Sequence, residues 1–532
     1  MYVTLTRFAV TLTVTLGFLT GCPTPTPPPD PPRAIACEEE EDCADLGPGH
    51  MCMGGGCMVM IIDAPAVEVP ASSDSALDPQ PLDDLDPDPA VFEANLVALV
   101  DTVELVPGTA TEAFVYKQDE AAPARIPGPL IDVEAGTRVL IHFTNLLDEP
   151  TTIHWHGLVL PNEMDGAPDD VAGIAAGASF DFDFVAPEPS LYWFHPHIRG
   201  DVQIERGLYG AFRVREASPP AVDTERIFVL DDVLLDDARQ VEPRAEGSAM
   251  TPDGQFMTFE GMMGRQGNRL LLNGKSNPFV DVVAGTVERW RIVNVANSRF
   301  FRLAIPGHSF VIIGTDVGFA SAPDERDELL LAPGERYDLL VQMNGDPSSD
   351  VALVTKHHNR GHDMADPGDL VVATLRYDAA PAPVPTPLPV VTRDIERLVA
   401  SAEPDQIVRM DEDLLRGARV GFSLNDELWP DVTPLSAALG DEETWDIVNE
   451  THMDHPFHLH GFPFQVVERA PLDGGDTVAE PMLAWKDTVI VGPRQRLRFV
   501  VRYDGFPGIW MLHCHILEHA ERGMMTMIDV AE

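Results

Sequence analysis

Residues 178–185 read Ala-Ser-Phe-Asp-Phe-Asp-Phe-Val, a strict alternation of polar and apolar side chains. That period sorts one set onto each face of an extended chain and marks a half-buried strand. Arg138-Val139-Leu140-Ile141-His142-Phe143-Thr144-Asn145 is a second such run. Strand-type runs recur at 227–235, 270–273, 287–295, 337–343, 369–377, 443–449, 488–491, 496–502 and 525–531, with few amphipathic helical stretches between them. The chain is therefore expected to be all-β and built of β-sandwiches.

A length of 532 residues exceeds what one hydrophobic core serves. The Pro-rich seam 379–389 and the softer Ser218-Pro219-Pro220 divide the strand-bearing part into sandwiches at 91–217, 221–379 and 393–532. Gly136-Thr137-Arg138-Val139, Gly285-Thr286-Val287-Glu288-Arg289-Trp290 and Glu442-Glu443-Thr444-Trp445 open similar segments that end in Asn145, Asn294 and Asn449. Three copies of one sandwich account for this repetition.

A formal charge of -50 excludes nucleic acid as a partner, because phosphate neutralisation needs Lys and Arg. It suits a solvated surface. Arg7 followed by an apolar run to Leu19 reads as a signal peptide, residues 1–21. Leu19-Thr20-Gly21-Cys22 resembles a bacterial lipobox, which implies lipidation of Cys22 and a protein anchored on the periplasmic or outer face of a membrane. Seven prolines between Pro23 and Pro32 make an extended spacer. Residues 22–90 are read as linker around a Cys-rich module, 37–57. Cys37, Cys43, Cys52 and Cys57 there suit two disulfides, in any of three pairings.

Cys514 stands apart, inside His513-Cys514-His515-Ile516-Leu517-Glu518-His519 with Met524 beyond. One thiolate, imidazoles and a thioether are the donor set of a blue copper centre. Successive side chains on an extended segment face opposite ways, so His513 and His515 are free to serve other ions. Three further pairs at i and i+2 follow the same pattern: His154-Trp155-His156, His195-Pro196-His197 and His458-Leu459-His460, the last preceded by His455. Each pair presents two imidazoles on one strand face.

With these motifs the sequence resembles the three-domain multicopper oxidases, the laccase-like family, over residues 91–532. The resemblance implies cupredoxin-like Greek-key sandwiches and four copper ions. By it, His455, Cys514 and His519 hold the type 1 ion with Met524 axial, and His154 and His458 hold type 2. His156, His195 and His515 hold one type 3 ion, and His197, His460 and His513 the other. It further implies one-electron oxidation at type 1 copper, transfer along His513-Cys514-His515, and four-electron reduction of O2 to water. Asp165 matches the family's proton-relay carboxylate. Many relatives place a Glu directly after the last type 1 His, where this chain has Ala520 and then Glu521.

For the electron donor, phenols lead and reduced metal ions (Cu(I), Fe(II) or Mn(II)) come second; a non-catalytic copper binder is the reading from another class. Met250, Met257, Met262 and Met263 cluster in sequence, yet fall in the middle sandwich, and core filling is their expected role. His357, His358 and His362 are expected in an exposed loop, His308 in a loop, and His452 beside the ligands. A monomer is expected.

Overall fold

The structure is a computed structural model that describes residues 50–53, 56–60 and 65–532, apart from 73, 168–171, 244–255, 258, 362–365, 383 and 414–420. The signal peptide, Cys22, the proline spacer, Cys37, Cys43, Met250 and His362 lie outside the described residues. Cys52 and Cys57 are direct backbone partners in the hairpin His50–Met53 with Gly56–Met60.

Six larger sheets form three consecutive sandwiches. In the first, Thr109–Lys117, Val91–Val106, Arg138–Asn145 and Ser179–Val185 make one sheet; Ile131–Glu134, Gly210–Arg215, Ser190–His195 and His154–His156 make the other. The second and third each pair a six-stranded with a five-stranded sheet. The alternating run lies in Ser179–Val185, with Phe182 and Phe184 buried in the first core. Arg138–Asn145 and Thr488–Val491 match their expected bounds, and the chain is all-β as its periodicity requires.

The repetition is physical. In each sandwich the Asn-terminated strand runs parallel to the strand that opens the unit: Val91–Val106 beside Arg138–Asn145, Thr224–Val233 beside Val287–Asn294, Gln406–Asp413 beside Glu442–Asn449. Each terminal Asn is fully buried and does the same work. Its Oδ1 accepts the N–H two residues on (Leu147, Ala296 or Thr451), and its Nδ2 donates to loop carbonyls. Buried amides of this kind hold a strand-to-loop turn in place by satisfying backbone groups that no ladder reaches.

Each sandwich encloses its own apolar core, and the third core takes in residues from the middle one, Met262, Met263, Phe300 and Ala332. The stretch expected as linker before residue 91 is seated on the body in part: Ala76 N–H bonds Phe279 O, and Leu82 is buried in the first core.

Candidate metal centre

Strand pairing brings the histidine pairs together. His154–His156 lies antiparallel to Ser190–His195, with His154 opposite His195. In the third sandwich His455–Leu459 lies antiparallel to Gly508–Cys514, with His458 opposite His513. Histidine rings of the two sandwiches stack on one another. His154 stacks on His460 at 3.9 Å between ring centroids, and His156 on His458 at 3.8 Å.

Three ring nitrogens converge at one point: His197 Nε2 and His460 Nε2 lie 3.3 and 3.2 Å from His513 Nε2. In five rings of the cluster one nitrogen is fixed by the protein. The Nδ1–H groups of His154, His195, His458 and His513 donate to the carbonyls of Asp165, Pro196, Asp487 and Cys514, each at 2.9 Å. His156 is turned the other way and donates from Nε2 to Asp487 Oδ1 at 3.2 Å. The opposite atoms, His154 Nε2, His156 Nδ1, His195 Nε2 and His458 Nε2, are buried with no hydrogen-bond partner among the described residues, as are both nitrogens of His515. Burial and mutual repulsion hold His156, His195, His197, His458, His460 and His515 well below the usual histidine range, and His513 falls to about 4. Burial thus favours the neutral rings, whose unpartnered nitrogens lie in the protein interior. An unpaired buried lone pair is costly, and a metal cation removes that cost.

The second group lies on the other side of Cys514. His455 Nδ1 is 3.4 Å and His519 Nδ1 3.7 Å from Cys514 Sγ, and the two nitrogens are 3.3 Å apart. Each ring is tethered through Nε2, His455 to Thr451 Oγ1 at 2.9 Å and His519 to the Met262 carbonyl at 3.0 Å. Ile516 N–H points at Sγ, 3.4 Å away, and burial pushes the thiol above its ordinary range. Met524 is fully buried in the same core cluster, and its carbonyl accepts Cys514 N–H. Two imidazoles and one thiolate with a thioether nearby form a copper donor set. His513, Cys514 and His515 are consecutive, so three bonded residues touch both groups.

Asp165 is 3% exposed and reaches both sandwiches. Its carbonyl holds His154, and its Oδ2 accepts His460 Nδ1–H at 2.9 Å. Ala520 is buried, and Glu521 Oε1 accepts Gly200 N–H at 2.7 Å. Glu518 accepts a hydrogen bond from Asn297 at 2.9 Å, and burial lifts it to about 7.

Several supporting residues escape sequence reasoning. Asp487 bonds His156 and, through its carbonyl, His458; Arg336 of the middle sandwich grips both Asp487 oxygens. Gly157 leaves room for that pair, because a Cβ there would lie 2.3 Å from Arg336 Nη2 and 2.5 Å from Asp487 Oδ2. A Cβ at Gly334 would lie 2.9 Å from the His515 ring. The middle sandwich thus braces the cluster although it carries no His-x-His motif. Thr451, not its neighbour His452, tethers His455; His452 points to solvent and pairs with Glu412. Met262 and Met263 do fill core, but the core is that of the third sandwich, against the Cys514 loop. His308 is buried and bonded to Tyr377 Oη. His357 and His358 are half-buried rather than exposed, because their loop packs against the third sandwich.

Three cupredoxin-like sandwiches, with Cys514 of the third set between the shared histidine cluster and the His455–His519 pair, define a copper-dependent oxidase. Family models described as multicopper oxidase match residues 118–219, 225–380 and 401–532. The chain is 30% identical over 444 residues to the multicopper oxidase MmcO of Mycobacterium tuberculosis, covering 76% of this chain and 81% of that one. A solved multicopper oxidase from Campylobacter jejuni, described as a metallo-oxidase, superposes with a TM-score of 0.74 at 28% identity, covering 88% of this chain and 98% of its own. A laccase from Pediococcus acidilactici gives a TM-score of 0.73 at 26% identity, covering 88% and 96%. The chain belongs to the multicopper oxidase family, which works with four copper ions, one type 1, one type 2 and two type 3. No helix among the described residues is long and apolar enough to cross a membrane.

Proposed function

We propose that the protein is a laccase-like oxidase that takes electrons one at a time from phenols and related organic donors and passes them to O2. The observation that carries this reading is Cys514, covalently joined to His513 and His515 of the histidine cluster while its thiol faces His455 and His519. His455, Cys514, His519 and Met524 would hold the type 1 ion; His154 and His458 the type 2; His156, His195 and His515 one type 3 ion; His197, His460 and His513 the other. When bound, copper supplies the one-electron oxidation and the four-electron reduction of O2 to water.

The protein's own part is positional. Carbonyls and carboxylates fix the ring tautomers, so that free imidazole nitrogens face inward. Bonded atoms of residues 513–515 give the electron its shortest path. Asp165, held against His460 and His154, would deliver protons where water forms. The leader and Cys22 support export and a lipid anchor, and one chain brings all the proposed ligands together, which supports a monomer.

A second reading, oxidation of Cu(I), Fe(II) or Mn(II), draws on Met262 and Met263 beside the type 1 group, since thioethers favour Cu(I). Steady-state rates of the copper-loaded protein with dimethoxyphenol, Cu(I) and Fe(II) separate the two. The laccase-like reading expects phenol turnover without added metal; phenol turnover that appears only after copper is added contradicts it.

A further inference from the structure

Both type 1 histidines are fully buried, and the outer nitrogen of each is already bonded within the protein. A phenolic donor must therefore meet the protein at some other group near this centre, and it must lose a proton as well as an electron. One polar pair at the rim fits both needs. His358 Nε2–H donates to Asp454 Oδ2 at 2.8 Å, and Asp454 is covalently joined to His455. The His358 side chain keeps 20% of its surface exposed, while that of Asp454 keeps 9%.

The pair is built rather than incidental. The His358 ring stacks on Phe300 at 5.5 Å between centroids. Its loop is clamped to the stretch that leads into His455: Asp454 N–H bonds Arg360 O at 2.8 Å, and Gly361 forms a bridge with Met453. A Cβ at Gly361 would come within 2.0 Å of His452 O, so the loop lies as close as a backbone can. The buried Arg360 guanidinium binds the carbonyls of Ser298 and Met263 and offsets the charge of Asp454. That ties the loop to the Met262–Met263 segment over His519 as well.

We propose that His358 is the proton acceptor for the phenolic donor, oriented by Asp454. The proposal rests on the phenol reading above. A carboxylate that takes the Nε2 proton fixes the tautomer, leaving the Nδ1 lone pair free to accept. In the step, the phenol O–H bond breaks and its proton goes to His358 Nδ1. The electron leaves for the oxidised centre beside His455 that the enzyme's own turnover supplies. The products are a neutral aryloxyl radical and an imidazolium that returns its proton to water.

The test compares dimethoxyphenol, which must lose a proton, with ferrocyanide, which has none to lose. In His358→Gln, with the blue colour retained as a check on the type 1 site, the ratio of kcat/KM for phenol to that for ferrocyanide should fall by about 100-fold, the scale of general-base catalysis. A ratio unchanged from wild type overturns the proposal while leaving the phenol reading intact. A wild-type protein that oxidises ferrocyanide but not the phenol overturns both. An independent readout needs no copper: ring-nitrogen NMR of the copper-free protein should show His358 as the Nε2–H tautomer, with Nδ1 shifted by added dimethoxyphenol. The other tautomer, or no shift, also overturns it.

Discussion

Arg336 and Asp487 are joined by two buried charge-assisted hydrogen bonds of 2.6 and 2.5 Å, and through them the middle sandwich holds a ring of the histidine cluster. Arg336 also bonds the carbonyls of Leu191, Gly334 and Asp316, so one side chain ties all three sandwiches together. Removing one partner of such a pair strands a buried charge. Arg336→Met should destabilise the copper-free protein by about 3–5 kcal/mol, read from denaturant unfolding. Adding Asp487→Asn should restore part of the loss, because the two substitutions are coupled. Strictly additive losses would show that the pair does not act as a unit.

Asp165 bonds His154 and His460, rings of the cluster proposed to reduce O2. Asp165→Asn should lower O2 uptake by about 100-fold while the blue type 1 colour stays. Stopped-flow reduction of the type 1 centre by ferrocyanide should proceed as in the wild type. A turnover rate equal to wild type would remove Asp165 from the proton path.

His142, outside the site, gives a pH prediction. Its Nδ1 faces Asp181 at 2.8 Å and its Nε2 faces Glu93 at 3.0 Å, and these two carboxylates raise it above 6.5. A raised folded value means that the native state binds the proton more tightly than the unfolded chain. The clamp's contribution is therefore fully present below pH 6.5 and is lost as pH rises through the folded value. In unfolding experiments His142→Gln should cost more on the acid side of that window than on the alkaline side. An equal cost on both sides contradicts the assignment. The effect is small, because the ring is partly exposed and screened.

Much of this architecture is legible in the chain because it is local. Alternation in 178–185 and the runs at 138–145 and 488–491 reflect the two-residue period of a strand; of the His-x-His pairs only His154 and His156 lie wholly within one, while the other three pairs straddle a strand end. The repeated Asn145, Asn294 and Asn449 are visible as strand ends, though their shared hydrogen-bond pattern is not. What sequence reading misses is long-range support from ordinary residues. Arg336 lies 151 positions from Asp487, and Met262 lies 257 from His519. Neither stands in a pattern that marks it. Thr451 and Asp454 are passed over for the opposite reason, since they sit beside His455 and look like spacers.

The claim on which the account depends is that Cys514 joins electron entry to oxygen reduction. Copper-loaded wild-type protein should be blue and should consume O2 with dimethoxyphenol. Cys514→Ser, reconstituted in the same way, should be colourless and should consume none. Continued O2 uptake by that variant at the wild-type rate would contradict the account.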